Sequence, residues 1–319
     1  ILLPASWLVR NIKEPGISVT RMRTVSYHFL MMDFLDVQEC LQEIFDETLQ
    51  EFSCLGERSL RMTIFTCSDT FEGILCGVYD AWMSKLGHAN VKLEIENRGN
   101  IQMFAQYRTV EVTSEKTEKV ISVICKKAGD QVYEQVYRAF LSGEEEKADA
   151  IYRYLVYAIT YGRKIVDQIQ IPAVYEIFRI DRMVSNEAHY LIEFLRFGNT
   201  RDGILFGTVG PKNDVIVLLA PHFADRLRGE NWVIYDEKRK KAVVHQAEQP
   251  WFMVQLDDDS WKERLEDSND QNAFECLWKT YHEHIAIRER INPRCQMNHL
   301  PLRFRPYMTE FQVVAEHER

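Results

Sequence analysis

The sequence predicts a helix-rich α+β fold, and three observations lead to that prediction. Residues from about 114 to 190 carry apolar side chains at the three- and four-residue spacing of amphipathic helices. Residues from about 194 to 256 instead alternate short apolar runs with turn residues. The chain has 319 residues, 46% of them hydrophobic and 12% aromatic, which is enough for packed cores. We therefore expect an antiparallel sheet of about four or five strands packed against several helices.

The helical portion contains a series of amphipathic segments. Pro172 is well placed to begin its longest helix, since proline is tolerated in a first helical turn. Six tyrosines recur in the helices before it: Tyr133, Tyr137, Tyr152, Tyr154, Tyr157 and Tyr161. Their rings could stack on nucleic-acid bases, but at this spacing amphipathic packing explains most of them more simply.

The sheet portion is predicted from apolar runs on either side of turns. Residues 194–197 and 204–209 flank a turn-rich link and are expected to be two strands. Residues 232–236 and 242–245 form a hairpin across a basic turn, and residues 251–256 supply a further strand. A helix over residues 211–228 is expected to break before Pro221, because a residue that precedes proline is pushed out of the helical region.

The domain organisation follows from a change of character at Met62. Residues 1–61 are compositionally distinct, and we treat them as an N-terminal extension of uncertain fold, with Met62 a candidate start of the native protein. Residues 62–311 form the main domain, with the helical portion followed by the sheet portion. Residues 312–319 are a tail.

Charge and cysteine content limit the classes of function. The net charge of -9 argues against a protein that coats nucleic acid nonspecifically, so any nucleic-acid surface must be local. The seven cysteines are widely spaced and contain no C-x-x-C pair, which fits reduced thiols in the cytoplasm and no iron-sulfur or zinc site. We expect no cofactor and no metal. No apolar run approaches the roughly 20 residues that span a bilayer, so no membrane association is expected.

A turn between a strand and a helix, at residues 68–72, has two interpretations. Asp69 and Glu72 suit a capping box, with Asp69 as the first residue of the cap. The amides of the helix N-terminus could instead bind a phosphate. Glycines are lacking and the two carboxylates would repel an anion, so capping is favoured.

One catalytic candidate is a histidine beside carboxylates on a helix. His189 and Glu193 lie four residues apart, and Glu187 is on a neighbouring face. A carboxylate that orients an imidazole is what general base catalysis needs. Polar residues on the exposed side of a helix give the same pattern, and no nucleophile is marked.

A second candidate follows the apolar run that ends at Pro221. His222, Asp225 and Arg226 lie about one helical turn apart, where a ring and a guanidinium could contact a phosphate or a base edge. A salt bridge at a helix end would use the same residues. The two interpretations are equally good.

The densest positive run is residues 238–241, which follow Asp236 and lie near Trp232 and Tyr235. Basic side chains with aromatic neighbours suit single-stranded nucleic acid, although hairpin turns also collect solvated lysines. His282 and His284 do not suggest a metal site, because residues two apart on a helix point to different faces.

Several blocks of the sequence occur in one order along the chain. They are residues 62–65, 68–75, 187–189, 194–197, 218–226, 232–236, 285–287, 289–290, 292–293 and 300–311. Together these blocks resemble a bacterial family of uncharacterised proteins assigned to DNA metabolism or repair. The resemblance runs from residue 62 to about residue 311, so residues 1–61 lie outside it.

The resemblance implies a partner and a set of positions. Members of the family are typically encoded beside a radical SAM protein that modifies DNA, and a similar domain is joined to a uracil-DNA glycosylase-like domain. The family supplies no reaction that can be carried over. The positions it marks for attention are His222, Arg226, Arg196, Asp236 and Arg303.

We therefore expect a DNA repair accessory that binds damaged or single-stranded DNA locally and acts with a radical SAM protein. The residues expected to bind nucleic acid are Arg196, Arg226, Arg239, Arg303 and Arg305. The rival hypotheses are a metal-independent hydrolase or nuclease and a protein-interaction module. The hydrolase would use His222 or His189 as base, with Glu187, Glu193 or Asp236 nearby.

Overall fold

The computed structural model describes residues 62–98, 101–200, 202–256, 271–285 and 287–311. The predicted N-terminal extension and C-terminal tail lie outside these residues. The described residues divide into two compact units, residues 62–184 and residues 185–311.

The N-terminal unit is built on a parallel three-stranded sheet. Its strands are β1 (Thr63–Cys67), β2 (Val91–Ile95) and β3 (Gln106–Thr109). Strand β1 lies in the middle, with Thr63 opposite Val91 on one side and opposite Gln106 on the other. Helix α1 (Phe71–Met83) connects β1 to β2, because two parallel strands need a crossover.

Helices make up the rest of this unit. They are α2 (Ser114–Val123), a π turn (Ile124–Ala128), α3 (Asp130–Phe140), α4 (Lys147–Tyr161), a 3-10 turn (Gly162–Asp167) and the first part of α5 (Pro172–Phe194). The long helix begins at Pro172, as predicted. The predicted packing is confirmed for Tyr152 and Tyr154, which are fully buried, whereas Tyr161 is 50% exposed.

The two edges of the three-stranded sheet differ. On β2, the Leu93 amide donates to the Asp149 carboxylate at 3.2 Å, and the Val91 carbonyl accepts from the Arg153 guanidinium at 2.6 Å. Both side chains come from α4, so α4 satisfies backbone groups at the outer edge of β2. On β3 all four residues are exposed, and in the described part of the chain the strand pairs with β1 alone.

The turn before α1 differs from the prediction. The cap of α1 is Thr70, whose hydroxyl accepts from the amide of Gly73 at 3.0 Å, so the prediction of Asp69 as the cap is wrong. Asp69 instead pairs with Arg98 and with the buried Lys147, each at 2.9 Å. The ion pairs take the carboxylate away from the helix amides.

The C-terminal unit contains a mixed five-stranded sheet. Its strands are β4 (Gly198–Asn199), β5 (Leu205–Val209), β6 (Trp232–Asp236), β7 (Lys241–His245) and β8 (Phe252–Gln255), in that spatial order. Strands β5 and β6 are parallel, with α6 (Ile216–Arg226) as their crossover, and the other neighbours are antiparallel.

Helical segments follow the sheet in the described residues. They are α7 (Gln271–Ile285), a 3-10 turn (Arg288–Arg290), α8 (Pro293–His299) and two further 3-10 turns (Leu302–Tyr307 and Thr309–Phe311). Within the described residues, no helix combines the length and the apolar character that crossing a membrane requires.

The helix-rich α+β class is confirmed, including the hairpin of β6 and β7 and the strand β8. The purely antiparallel sheet is wrong, because β5 and β6 are parallel and the N-terminal unit has a parallel sheet of its own. The predicted strand at residues 194–197 is also wrong, since the pairing begins at Gly198. Helix α6 continues through Pro221 without the predicted break.

Candidate functional site

Glu187 is a buried carboxylate whose hydrogen bonds are all internal. It lies on α5, and its side chain is 1% exposed. It accepts from the backbone amides of Lys212 at 3.0 Å and Asn213 at 2.8 Å, and from the Asn213 side-chain amide at 2.7 Å. The guanidinium of Arg303 lies 3.2 Å away. Glu187 thus fastens the loop before α6 and the C-terminal 3-10 turn to α5. Its predicted catalytic role stays a prediction.

Asp236 closes the hairpin between β6 and β7. Its fully buried carboxylate accepts from the backbone amides of Lys238 at 3.0 Å and Arg239 at 3.3 Å. The Arg239 guanidinium pairs with it at 3.0 Å and also donates to the carbonyls of Pro211 and Lys212. Burial raises the pKa of the Asp236 carboxyl, and the bonds from Arg239 and the two amides oppose that rise. In the predicted basic run, Arg239 is therefore held by the fold, whereas Lys238 and Lys240 are exposed.

His222 and Arg226 lie on α6. The His222 ring packs edge-on against Phe223 at 5.1 Å between centroids, and its Nε2 is buried without a hydrogen-bond partner among the described residues. Asp225 and Arg226 are exposed. The three residues do share one helix end, but the imidazole is directed into packing.

His189 and Glu193 form a pair on the surface of α5. The His189 Nε2 lies 3.1 Å from the Glu193 carboxylate, and both side chains are exposed. The predicted pairing at four-residue spacing is present. Glu187 accepts its hydrogen bonds elsewhere in the unit, so the structure does not join the three residues into one site.

An aromatic and cationic cluster with two exposed rings lies along α7. We call it the α7 cluster, and its members are Arg196, Trp278, Tyr281, His282, Arg305 and Phe311. The rings of Trp278 and Tyr281 are 5.8 Å apart at 31°, and the Arg196 guanidinium lies 5.6 Å from the Trp278 ring. Phe311 contacts both Arg305, at 4.8 Å, and His282, at 6.1 Å.

A buried carboxylate organises this cluster. Glu310, with a side chain 4% exposed, pairs with Arg196 at 2.8 Å and accepts from the Trp278 indole N–H at 3.1 Å. Burial alone would raise the pKa of the Glu310 carboxyl. The hydrogen bonds from Arg196 and Trp278 outweigh burial and hold that pKa below its ordinary value of 4.5. The rings nevertheless stay accessible, with Trp278 40% and Tyr281 54% exposed.

The structure thus separates the five arginines that the sequence predicts to bind nucleic acid. Arg196 and Arg305 lie in the α7 cluster. Arg303 pairs with Glu187, Arg239 pairs with Asp236, and Arg226 lies at the end of α6. Sequence reasoning missed the aromatic part of the cluster, although Trp278 and Tyr281, three apart in the sequence, were a signal for it.

Comparison with known families places these residues in one domain. The family DUF4130, described as a domain of unknown function, matches residues 145–310. The chain belongs to the DUF4130 family. The DUF4130 match includes the candidate catalytic residues and the five candidate arginines. The α7 cluster also lies within it apart from Phe311, one residue beyond the match.

Other comparisons add little to the DUF4130 assignment. No curated protein matches the chain. One solved structure that matches is described as a DHH domain from a member of a family of ribosomal proteins. It is 9% identical, with 68% of this chain and 80% of that chain covered, and its TM-score of 0.28 does not establish a shared fold.

Proposed function

We propose that this DUF4130 protein binds single-stranded or damaged DNA locally, in DNA repair or metabolism, and acts there with a radical SAM partner. The observation that carries the proposal is the pair of exposed rings, Trp278 and Tyr281, beside arginines in an otherwise acidic chain. The radical SAM partner rests on the family resemblance alone.

The two accessible rings of the α7 cluster suit unpaired bases. Aromatic side chains that stack on successive bases contribute about 1–3 kcal/mol per base and tolerate any sequence. A pair of neighbouring rings with half-exposed faces provides such a surface, whereas bases in an intact duplex offer no free face. Single strands and unstacked lesions are therefore the form of DNA that the α7 cluster fits best.

Exposed arginines beyond the end of α7 are the candidates for phosphate contacts. Arg290 and Arg294 follow α7 and are exposed, and within the described residues neither guanidinium pairs with a carboxylate. At the cluster itself, the charge of Arg196 is already paired with Glu310, and Arg305 lies against Phe311. A local group of cations is what an acidic protein needs to hold a polyanion.

Substitution of one ring tests the proposal. Tyr281→Ala removes a base-stacking surface without removing a charge, so we expect binding of a labelled single-stranded oligonucleotide to weaken by about tenfold. The measurement is fluorescence anisotropy of the full chain at fixed salt. Double-stranded DNA of the same length should bind more weakly to the unaltered protein.

The matched control is Tyr175→Ala on α5. Tyr175 is 53% exposed, close to the 54% of Tyr281, but lies outside the α7 cluster. Its loss should leave the affinity unchanged. Equal weakening by both variants, or no binding of single-stranded DNA by the unaltered protein, would overturn the proposal.

A further inference from the structure

Two irregular turns of the N-terminal unit pack closely against each other. They are the π turn (Ile124–Ala128) and the 3-10 turn (Gly162–Asp167). Gly129, at φ +89°, ends the π turn, and a Cβ there would lie 3.0 Å from the Arg163 Nε. Gly162, at φ +61°, begins the 3-10 turn, and a Cβ there would lie 3.2 Å from the Lys127 carbonyl oxygen. The close approach therefore depends on glycine at both positions.

This contact brings four cations to one surface. Lys126 and Lys127 come from the π turn, Arg163 and Lys164 come from the 3-10 turn, and all four are exposed. We call these residues the turn patch. Residues 124–130 and 161–168 contain only two acids, Asp130 and Asp167, although the whole chain has a net charge of -9. The local balance is thus opposite in sign to that of the protein.

Three of the four cations of the turn patch carry charge that no carboxylate among the described residues neutralises. Among the described residues, no carboxylate pairs with Lys127, Arg163 or Lys164. This distinguishes them from Arg303 and Arg239, which hold buried carboxylates. Short π segments also occur frequently at functional sites, because they distort a helix at a cost in hydrogen bonding.

A pair of tyrosines adjoins the turn patch. Tyr157 and Tyr161 lie four residues apart at the end of α4, with ring centroids 6.5 Å apart and planes at 28°. Tyr161 directly precedes Gly162, and its side chain is 50% exposed. Cations flanked by an accessible ring provide both contacts that a nucleic-acid strand offers, phosphate and base face.

We propose that the turn patch binds the sugar-phosphate backbone of a single nucleic-acid strand. The ligand class rests on the proposed function, while the site is a separate surface in the other unit of the chain. Nucleic acid is favoured over an anionic membrane, because membrane-surface binding uses an amphipathic helix with an apolar face. The turn patch offers cations and a phenol ring on two short turns instead.

A triple variant tests the site through its salt dependence. Lys127→Gln, Arg163→Gln and Lys164→Gln together remove three cations that pair with no carboxylate among the described residues. For single strands, each phosphate contact contributes about 0.7 to the slope of log affinity against log salt, so the slope should become shallower by about 2. At 0.1 M salt the affinity should fall roughly 10- to 100-fold. The measurement is anisotropy of a labelled oligonucleotide across a salt series.

The control removes the same charge from other surfaces of the same unit. It combines Lys85→Gln, Lys119→Gln and Arg182→Gln, three exposed cations outside the turn patch. Circular dichroism should show that both triple variants fold like the unaltered protein. A control slope that changes as much as that of the test variant would overturn the inference, since net charge alone would then explain the effect.

A second ligand separates the turn patch from the α7 cluster. A strand made of abasic sites has phosphates but no bases, so the triple variant should weaken its binding and Tyr281→Ala should not. If the unaltered protein binds and only Tyr281→Ala weakens binding, the turn patch is excluded while the proposed function survives. If only the triple variant weakens binding, the turn patch stands and the α7 cluster is excluded as the DNA-binding site. Stronger binding to phosphatidylserine vesicles than to either strand would overturn the turn patch as a nucleic-acid site.

Discussion

The basic side chains around the five-stranded sheet differ from those of the turn patch in what they contact. Arg303 and Arg239 each hold a buried carboxylate, Glu187 and Asp236, and so connect distant parts of the C-terminal unit. Lys127 and Arg163 extend from two short turns and pair with no carboxylate among the described residues. A cation is available to a ligand only when the fold does not already use its charge.

The comparison also shows why density of charge along the sequence is a poor guide. The run at residues 238–241 is the densest in the chain, yet Arg239 and Lys241 both pair with aspartates of their own unit. The turn patch combines two separate pairs of cations that become neighbours only in the folded unit. Three predictions test this difference, in order of expected effect.

Loss of the Glu187 carboxylate should have the largest effect. Glu187→Ala leaves two backbone amides and the Asn213 side chain without their acceptor and leaves Arg303 unpaired. Each buried donor left without an acceptor costs about 1–3 kcal/mol of the free energy of unfolding, and Arg303 adds less because its side chain is 38% exposed. Urea denaturation followed by circular dichroism measures this change. Glu248→Ala removes an exposed carboxylate that pairs with Arg228 and should cost under about 1 kcal/mol.

Substitution of Arg239 should have an intermediate effect on the free energy of unfolding, and substitution of its neighbour Lys238 should have almost none. Arg239→Ala removes hydrogen bonds to Asp236 and to two carbonyls, and we expect a loss of about 2 kcal/mol in the free energy of unfolding. Lys238→Ala removes an exposed side chain and should change stability by less than about 0.5 kcal/mol. Equal losses in the two variants would show that Arg239 is as free as Lys238.

Acidification should have the smallest effect on stability, and that effect should be confined to the contacts of Glu310. The folded-state pKa of Glu310 is depressed, so its carboxylate contributes stability above pH 4.5 that is lost as pH falls through the folded-state pKa. We expect the fluorescence of Trp278 to change below pH 4.5, because its indole N–H loses a charged acceptor. The difference between the fluorescence of the unaltered protein and that of Trp278→Phe gives the signal of Trp278. In Glu310→Gln that signal should no longer change below pH 4.5.

Local patterns predicted many of the elements. The apolar run in Trp232–Asp236 and the turn residues after it were enough to predict the β6–β7 hairpin, because both partners are close in sequence. The parallel pairing of β5 with β6 depends on the crossover through α6, and no local pattern specifies it. The parallel three-stranded sheet was missed for the same reason, although β1 was predicted as a strand.

The contacts of the candidate residues were harder to predict from the sequence than the helices and strands. Arg196 and Glu310 are separated by 114 positions, and nothing near either residue indicates the other. Glu187 and Asp236 were selected as possible catalytic carboxylates, but a carboxylate that accepts several backbone amides looks the same in sequence as one that faces a substrate. The His189–Glu193 pair was predicted correctly because helical spacing alone determines it.

The unequal edges of the three-stranded sheet limit how it can grow. Side chains from α4 already occupy backbone groups along the outside of β2, while β3 exposes all of its residues. A visiting strand, from this chain or from another molecule, therefore has one place to join. Pairing between the β3 edges of two copies would occupy the free edge of both sheets, so this isologous arrangement permits pairing but works against open-ended polymerisation.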